Sequence, residues 1–119
     1  MIIFREKRGE TTVVKLQGVV KLGESARQFS DFLEKVLVED QGPVLLDFER
    51  IDTLDSTGLG ELIGYLQRFE ERKRKMAIVR PKDRIVALLK LTRLDTLIRI
   101  FPDDDAALAY LAADAAPGA

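Results

Sequence analysis

Cysteine and histidine are both absent from the 119 residues. Without cysteine there is no disulfide, no thiolate nucleophile and no zinc site of the cysteine type, and without histidine the usual general base near neutral pH is missing. Enzymatic readings shrink accordingly: no catalytic residue, metal site or cofactor is expected, and no intrinsic hydrolase or kinase turnover. No stretch approaches the roughly 20 consecutive apolar residues that a membrane-spanning helix needs. The N-terminus also lacks a basic region followed by an apolar signal core, so the expected location is the cytoplasm, with no direct membrane insertion. An excess of either charge is lacking too. Lys and Arg number 19 against 20 Asp and Glu, a formal net charge of −1 that cannot gather a nucleic-acid backbone. What is present is 46% hydrophobic residues, enough for one core in a chain of this length. One domain over residues 1–114 is expected, with 115–119 as a short flexible C-terminal tail.

The rest of the chain is organised around Pro43 to Tyr65, which reads strand, polar loop, helix. Val44, Leu45 and Leu46 form a continuous apolar run behind a proline, as suits a parallel-sheet strand buried on both faces. Leu59, Leu62, Ile63, Leu66 and Phe69 recur at helical spacing, so a helix starts near Ser56 or Thr57 and packs that stripe on the sheet. Asp55-Ser56-Thr57-Gly58 is its leading edge, where three successive side chains can accept from the free N–H groups of a first turn. One hydroxyl is expected to cap while the other faces outward. Gly58 and Gly60 carry no Cβ, so another backbone or a bulky ligand can approach closely.

The run from Leu45 to Leu62, Leu-Leu-Asp-Phe-Glu-Arg-Ile-Asp-Thr-Leu-Asp-Ser-Thr-Gly-Leu-Gly-Glu-Leu, resembles the signature of the STAS domain family, specifically its single-domain bacterial anti-sigma factor antagonists. Asp47 and Asp55 fall where that family usually has acidic residues, and Gly58-Leu59-Gly60 matches its helix start. Leu88 to Arg99 resembles the family's late helix and following strand. The resemblance implies that Ser56 is the phosphoacceptor of a cognate anti-sigma factor kinase, with Thr57 the weaker candidate and more naturally a cap. Asp52, Asp55, Ser56, Thr57, Gly58, Leu59, Gly60 and Gly64 are the expected partner-binding residues. The implied partners are an anti-sigma factor that is a serine kinase and a serine phosphatase, and the implied state is a monomer or weak dimer. The kinase would supply ATP. The alternative is a STAS subunit of a transporter or stress-signalling assembly that docks through the same loop without a phosphorylation switch.

Along the chain, Ile2 to Arg5 and Thr11 to Gln17 read as an antiparallel edge joined by a charged turn from Glu6 to Glu10, with Gly18 ending the second strand. A helix over about Glu24 to Val38 follows, with Ser25 and Gln28 spaced as a capping box and Phe29, Phe32, Leu33, Val36 and Leu37 inward. Val19, Val20 and Lys21 stand where many family members place an acidic residue. Met76 to Val79 is a buried strand stopped by Arg80-Pro81. A helix opened by Lys82 or Asp83 turns Ile85, Val86, Leu88, Leu89 and Leu91 inward; Leu97 to Phe101 is a last strand, and Asp103 to Asp105 start a final helix. The expected fold is α/β: a STAS-like mixed central sheet of four to five strands with about four helices packed mainly on one side.

The bland readings compete with these. Ser56 alone would be a helix cap, Arg72 to Lys75 a solvated helix end, and Gly60 with Gly64 mere tolerance. Asp47, Asp52 and Asp55 could form a carboxylate cluster for Mg²⁺ or acid/base work, but no base, cation or phosphate-cradling glycine loop accompanies them.

Overall fold

Two β-prone runs at the N-terminus pair as a hairpin in the computed structural model, which describes residues 1–113. β1 (Ile2–Arg8) lies antiparallel to β2 (Thr11–Val20), and the turn is only Gly9 and Glu10, with Gly9 at a left-handed φ of 61°. The charged stretch expected to form the turn is therefore largely strand. Glu6, Lys7 and Arg8 pair with Val13, Thr12 and Thr11, since solvated charges are compatible with an edge strand and protect it. Nor does Gly18 end β2. It sits at φ 121° beside a register irregularity, and pairing continues to Val20.

β3 (Val44–Leu54) runs parallel to β2 and is much longer than its apolar start suggests. Phe48, Ile51 and Leu54 are buried while Glu49, Arg50, Asp52 and Thr53 are exposed, so the expected polar loop is mostly strand. Irregularities in the β2–β3 register break the period-2 alternation by which a strand is recognised. β4 (Met76–Val79) and β5 (Arg99–Phe101) complete a sheet of order β1-β2-β3-β4-β5, parallel from β2 onward.

Each parallel connection carries a helix: α1 (Glu24–Glu39), α2 (Ser56–Glu71) and α3 (Asp83–Leu91). They share one large core with the sheet, built on Phe29, Leu33, Val36, Leu46, Phe48, Leu62, Leu66, Phe69, Ile85 and Leu89. α4 (Asp104–Ala112) covers the other face, setting Ala107 and Leu111 on Val13, Leu45, Ala77 and Val79. The result is the mixed α/β fold expected, with helices mainly on one side.

Local departures have local causes. Gly23 occupies the N-cap of α1 with no side-chain cap; Ser25 instead accepts from the Lys21 N–H at 2.9 Å, because it lies inside the helix rather than before it. Leu91 does not face inward but is 82% exposed, and Leu97 precedes β5 instead of belonging to it, following a short 3-10 turn at Leu94–Thr96. No glycine joins α2 to β4; Lys73 takes the left-handed conformation there at φ 58°. The expected tail, residues 115–119, lies outside the described residues.

Candidate functional site

Strands β2 to β5 end on one edge of the sheet, where the helix N-termini begin, and Asp55 is the corner between β3 and α2. One carboxylate oxygen of Asp55 accepts from the Gly58 N–H at 2.9 Å and the other from the Leu22 N–H at 2.8 Å. Its own N–H donates to the Val20 carbonyl at 3.1 Å. The N–H groups of Gly58 and Leu22 hold its carboxyl below the usual aspartate range. Asp55 is thus the helix cap, and it also fastens the β2–α1 turn to the start of α2. The expectation that a hydroxyl caps is corrected, for Ser56 and Thr57 alike: a charged acceptor one residue earlier already fills that position.

Ser56 is the first residue of α2, exposed, and among the described residues no hydrogen bond engages its hydroxyl. Thr57 beside it is half-buried. Gly58 is buried, and a Cβ there would stand 2.7 Å from Leu54 Cδ1, 2.9 Å from Val20 Cγ1 and 3.1 Å from the Val20 carbonyl. Its missing side chain lets α2 close on the ends of β2 and β3. Leu59 is buried in the same core. Gly58 and Leu59 therefore face the core of this domain. Gly60 and Gly64 differ: a Cβ at either would meet nothing within 4 Å.

The three loop carboxylates do not converge. Asp52 is exposed and bonds Lys82 Nζ at 2.5 Å, an interaction that lowers its pKa. Asp47 is buried on the α4 side, where Arg80 Nη2 reaches it at 2.9 Å and Arg80 Nη1 reaches Asp104 at 2.9 Å. Among the described residues no group of three or more acidic side chains is arranged to hold a metal ion. The cluster reading fails because each carboxylate has a separate partner.

Sequence reasoning passed over Leu22. It stands 76% exposed in the β2–α1 turn, beside the Asp55 carboxylate that holds its N–H. The signal available was Gly23, whose φ of 108° makes the turn. Of the neighbouring residues noted as unusual, Val20 is buried against Gly58 and Lys21 is exposed.

The family model described as "Mlab, STAS domain" matches residues 3–99. The chain belongs to the STAS domain family. Among solved structures, this STAS domain is similar to an anti-sigma factor antagonist from Mycobacterium paratuberculosis at 19% identity, covering 92% of each chain with a TM-score of 0.82. It is similar to the phosphorylated form of the Bacillus cell fate determinant SpoIIAA at 17% identity, over 92% of this chain and 98% of that one, with a TM-score of 0.71. A sulfate transporter family protein from Wolinella succinogenes is 22% identical over 87% of this chain and 86% of that one, with a TM-score of 0.73. At such identities the likeness is one of fold, and sites must be argued from the residues themselves.

Proposed function

We propose that this STAS domain is a cytoplasmic anti-sigma factor antagonist. With Ser56 unmodified it binds an anti-sigma factor that is itself a serine kinase, and so frees a sigma factor; phosphorylation of Ser56 ends the interaction and a serine phosphatase restores it. The observation that carries this reading is the free, exposed hydroxyl of Ser56 on a helix whose cap is already supplied by Asp55. Ser56 is then dispensable to the fold and open to modification. A phosphate there adds roughly −1.5 to −2 charge. Asp52 and Asp55 would repel it, while the N–H groups of the first turn of α2 would offset part of that cost within the domain. Phosphorylation should therefore spoil an interface more than it spoils the fold.

The test compares Ser56→Ala with Ser56→Asp against the anti-sigma factor encoded nearest to this gene. The alanine form should bind like the wild type. The aspartate form should bind more weakly while its stability stays within about 1 kcal/mol of the parent, as for ordinary surface substitutions. Equal affinities for the two forms would sink the switch. A second reading, a STAS subunit of a transporter assembly docking without a switch, is favoured by the fold likeness to the sulfate transporter family protein. A transporter gene beside this one in place of a kinase-like gene would select it.

A further inference from the structure

Leu22 is held and exposed at once. Its N–H donates to a carboxylate oxygen of Asp55 at 2.8 Å, yet 76% of the residue is open to solvent. The other bonds of the β2–α1 turn are local: the Lys21 N–H donates to Ser25 Oγ at 2.9 Å, the Ala26 N–H to the Lys21 carbonyl at 3.0 Å and the Arg27 N–H to the Gly23 carbonyl at 3.1 Å. Among the described residues no other hydrogen bond ties Lys21, Leu22 or Gly23 to α2 or its cap. Asp55 is thus the clasp between the turn that presents Leu22 and the helix that begins with Ser56. Fixing the backbone under an exposed apolar side chain meets in advance part of the ordering cost of binding, as suits a contact anchor. A hollow of about 410 Å³ opens beside Leu22, with Met1, Val19 and Gln28 among its walls, so this flank offers a knob and a recess together.

Ser56 directly follows that clasp. A phosphate on it would bring nearly two charges and three acceptor oxygens next to the carboxylate that holds Leu22. Like charge pushes the carboxylate away, and the phosphate competes for the first-turn N–H groups of α2, of which Asp55 now uses the one on Gly58. Gly23, at φ 108° with open space where a Cβ would stand, lets the turn move once it is released. The geometry points to a relay: Leu22 is an apolar anchor for the same anti-sigma factor, presented only while Asp55 holds its backbone, and phosphorylation of Ser56 releases it. The partner then carries an apolar socket beside its Ser56 contact. The relay rests on the reading of Ser56 as the switch and adds to it a second way of ending the interaction. Besides placing charge in the interface, the phosphate removes an ordered contact.

The test prepares the intact protein with serine or phosphoserine at position 56, each with and without Leu22→Ala. All four forms are titrated against the anti-sigma factor encoded nearest to this gene, and amide exchange is followed by NMR on the two Leu22 forms without partner. Phosphoserine should speed exchange of the Leu22 amide on the order of tenfold while the amides of Leu62 and Leu66 within α2 hold. On the unmodified protein Leu22→Ala should weaken binding on the order of tenfold, with the thermal midpoint unchanged because the side chain is exposed. Phosphoserine should then cost several-fold less affinity in the Leu22→Ala protein than in the parent, because the anchor it would release is already gone. Unchanged Leu22 exchange on phosphorylation, normal binding by Leu22→Ala, or losses that simply add would each overturn the relay while leaving Ser56 a switch. Equal affinity of the two parent forms is a failure of the switch itself, and the relay falls with it.

Discussion

Each oxygen of the Asp55 carboxylate is held by a backbone N–H, one from α2 and one from the turn that precedes α1. Those bonds favour the ionised form and lower its pKa, so the stabilisation is fully present above the ordinary aspartate value near 4 and fades as pH falls through the lowered folded value. Asp55→Asn keeps one acceptor but loses the second and the charge. Its urea midpoint should be lower than the parent's at pH 7, and the gap should narrow as the pH is taken below 4. A constant gap across that range would mean that Asp55 acts by shape and not by charge. The adjacent residues mark how far the sequence was legible at this scale. Asp55, Ser56 and Thr57 are all good caps, so composition located the cap to within three residues and could not choose among them. The choice was made by tertiary placement, since only Asp55 also reaches Leu22. Gly58 was legible as a close approach, but the approaching atoms belong to Val20 and Leu54 of the same chain.

At the scale of elements, the joint between α2 and β4 was the least readable. The basic run Arg72 to Lys75 reads as a solvated helix end, yet most of it is tied down. Arg72 bonds the Leu37 carbonyl, Lys75 the Tyr110 carbonyl, and Arg74 is buried over the Phe69 ring. Arg74 also donates to the carbonyls of Gly42 at 2.8 Å and Leu37 at 3.1 Å, satisfying acceptors where α1 ends. A guanidinium can do this without a carboxylate partner because several carbonyl dipoles together replace its water. Arg74→Leu should strip the Gly42 carbonyl of this donor and leave Leu37 with Arg72 alone, at a cost of about 1–3 kcal/mol, seen as a lower urea midpoint with an unchanged slope. Arg74→Lys should recover only part of the loss, since one ammonium cannot span the same acceptors. Sequence periodicity could not find this role, because it depends on α1 ending beside α2. The apolar stripes of α1 and α2 were legible, being long and regular. α3 is nine residues, too short for its pattern to separate Leu91 outside from Leu89 inside.

For the whole molecule, the strand–helix alternation after a hairpin was enough to give the mixed sheet, because each parallel crossover needs a helix and the connections leave little choice of order. It also makes α2 the middle helix of its layer, with α1 on one flank and α3 on the other, so its outward strip at Gly60 and Gly64 faces solvent from the centre of that surface. The proposed partner contact lies along this strip below Ser56. A Cβ at position 64 meets nothing within 4 Å, so Gly64→Leu can fill the strip. Because glycine is a poor helix former, the substitution should hold or raise stability by up to about 1 kcal/mol. Binding to the anti-sigma factor should nevertheless be lost, by steric exclusion alone. Lys73→Gln is the control: it removes an exposed charge with no hydrogen bond among the described residues and should lower only a salt-dependent part of the affinity. The two variants are to be titrated against the anti-sigma factor at low and high salt, with thermal melts in parallel. A stable Gly64→Leu protein that binds normally, beside a Lys73→Gln protein that fails at both salts, would move the interface off α2 and onto the α2–β4 joint.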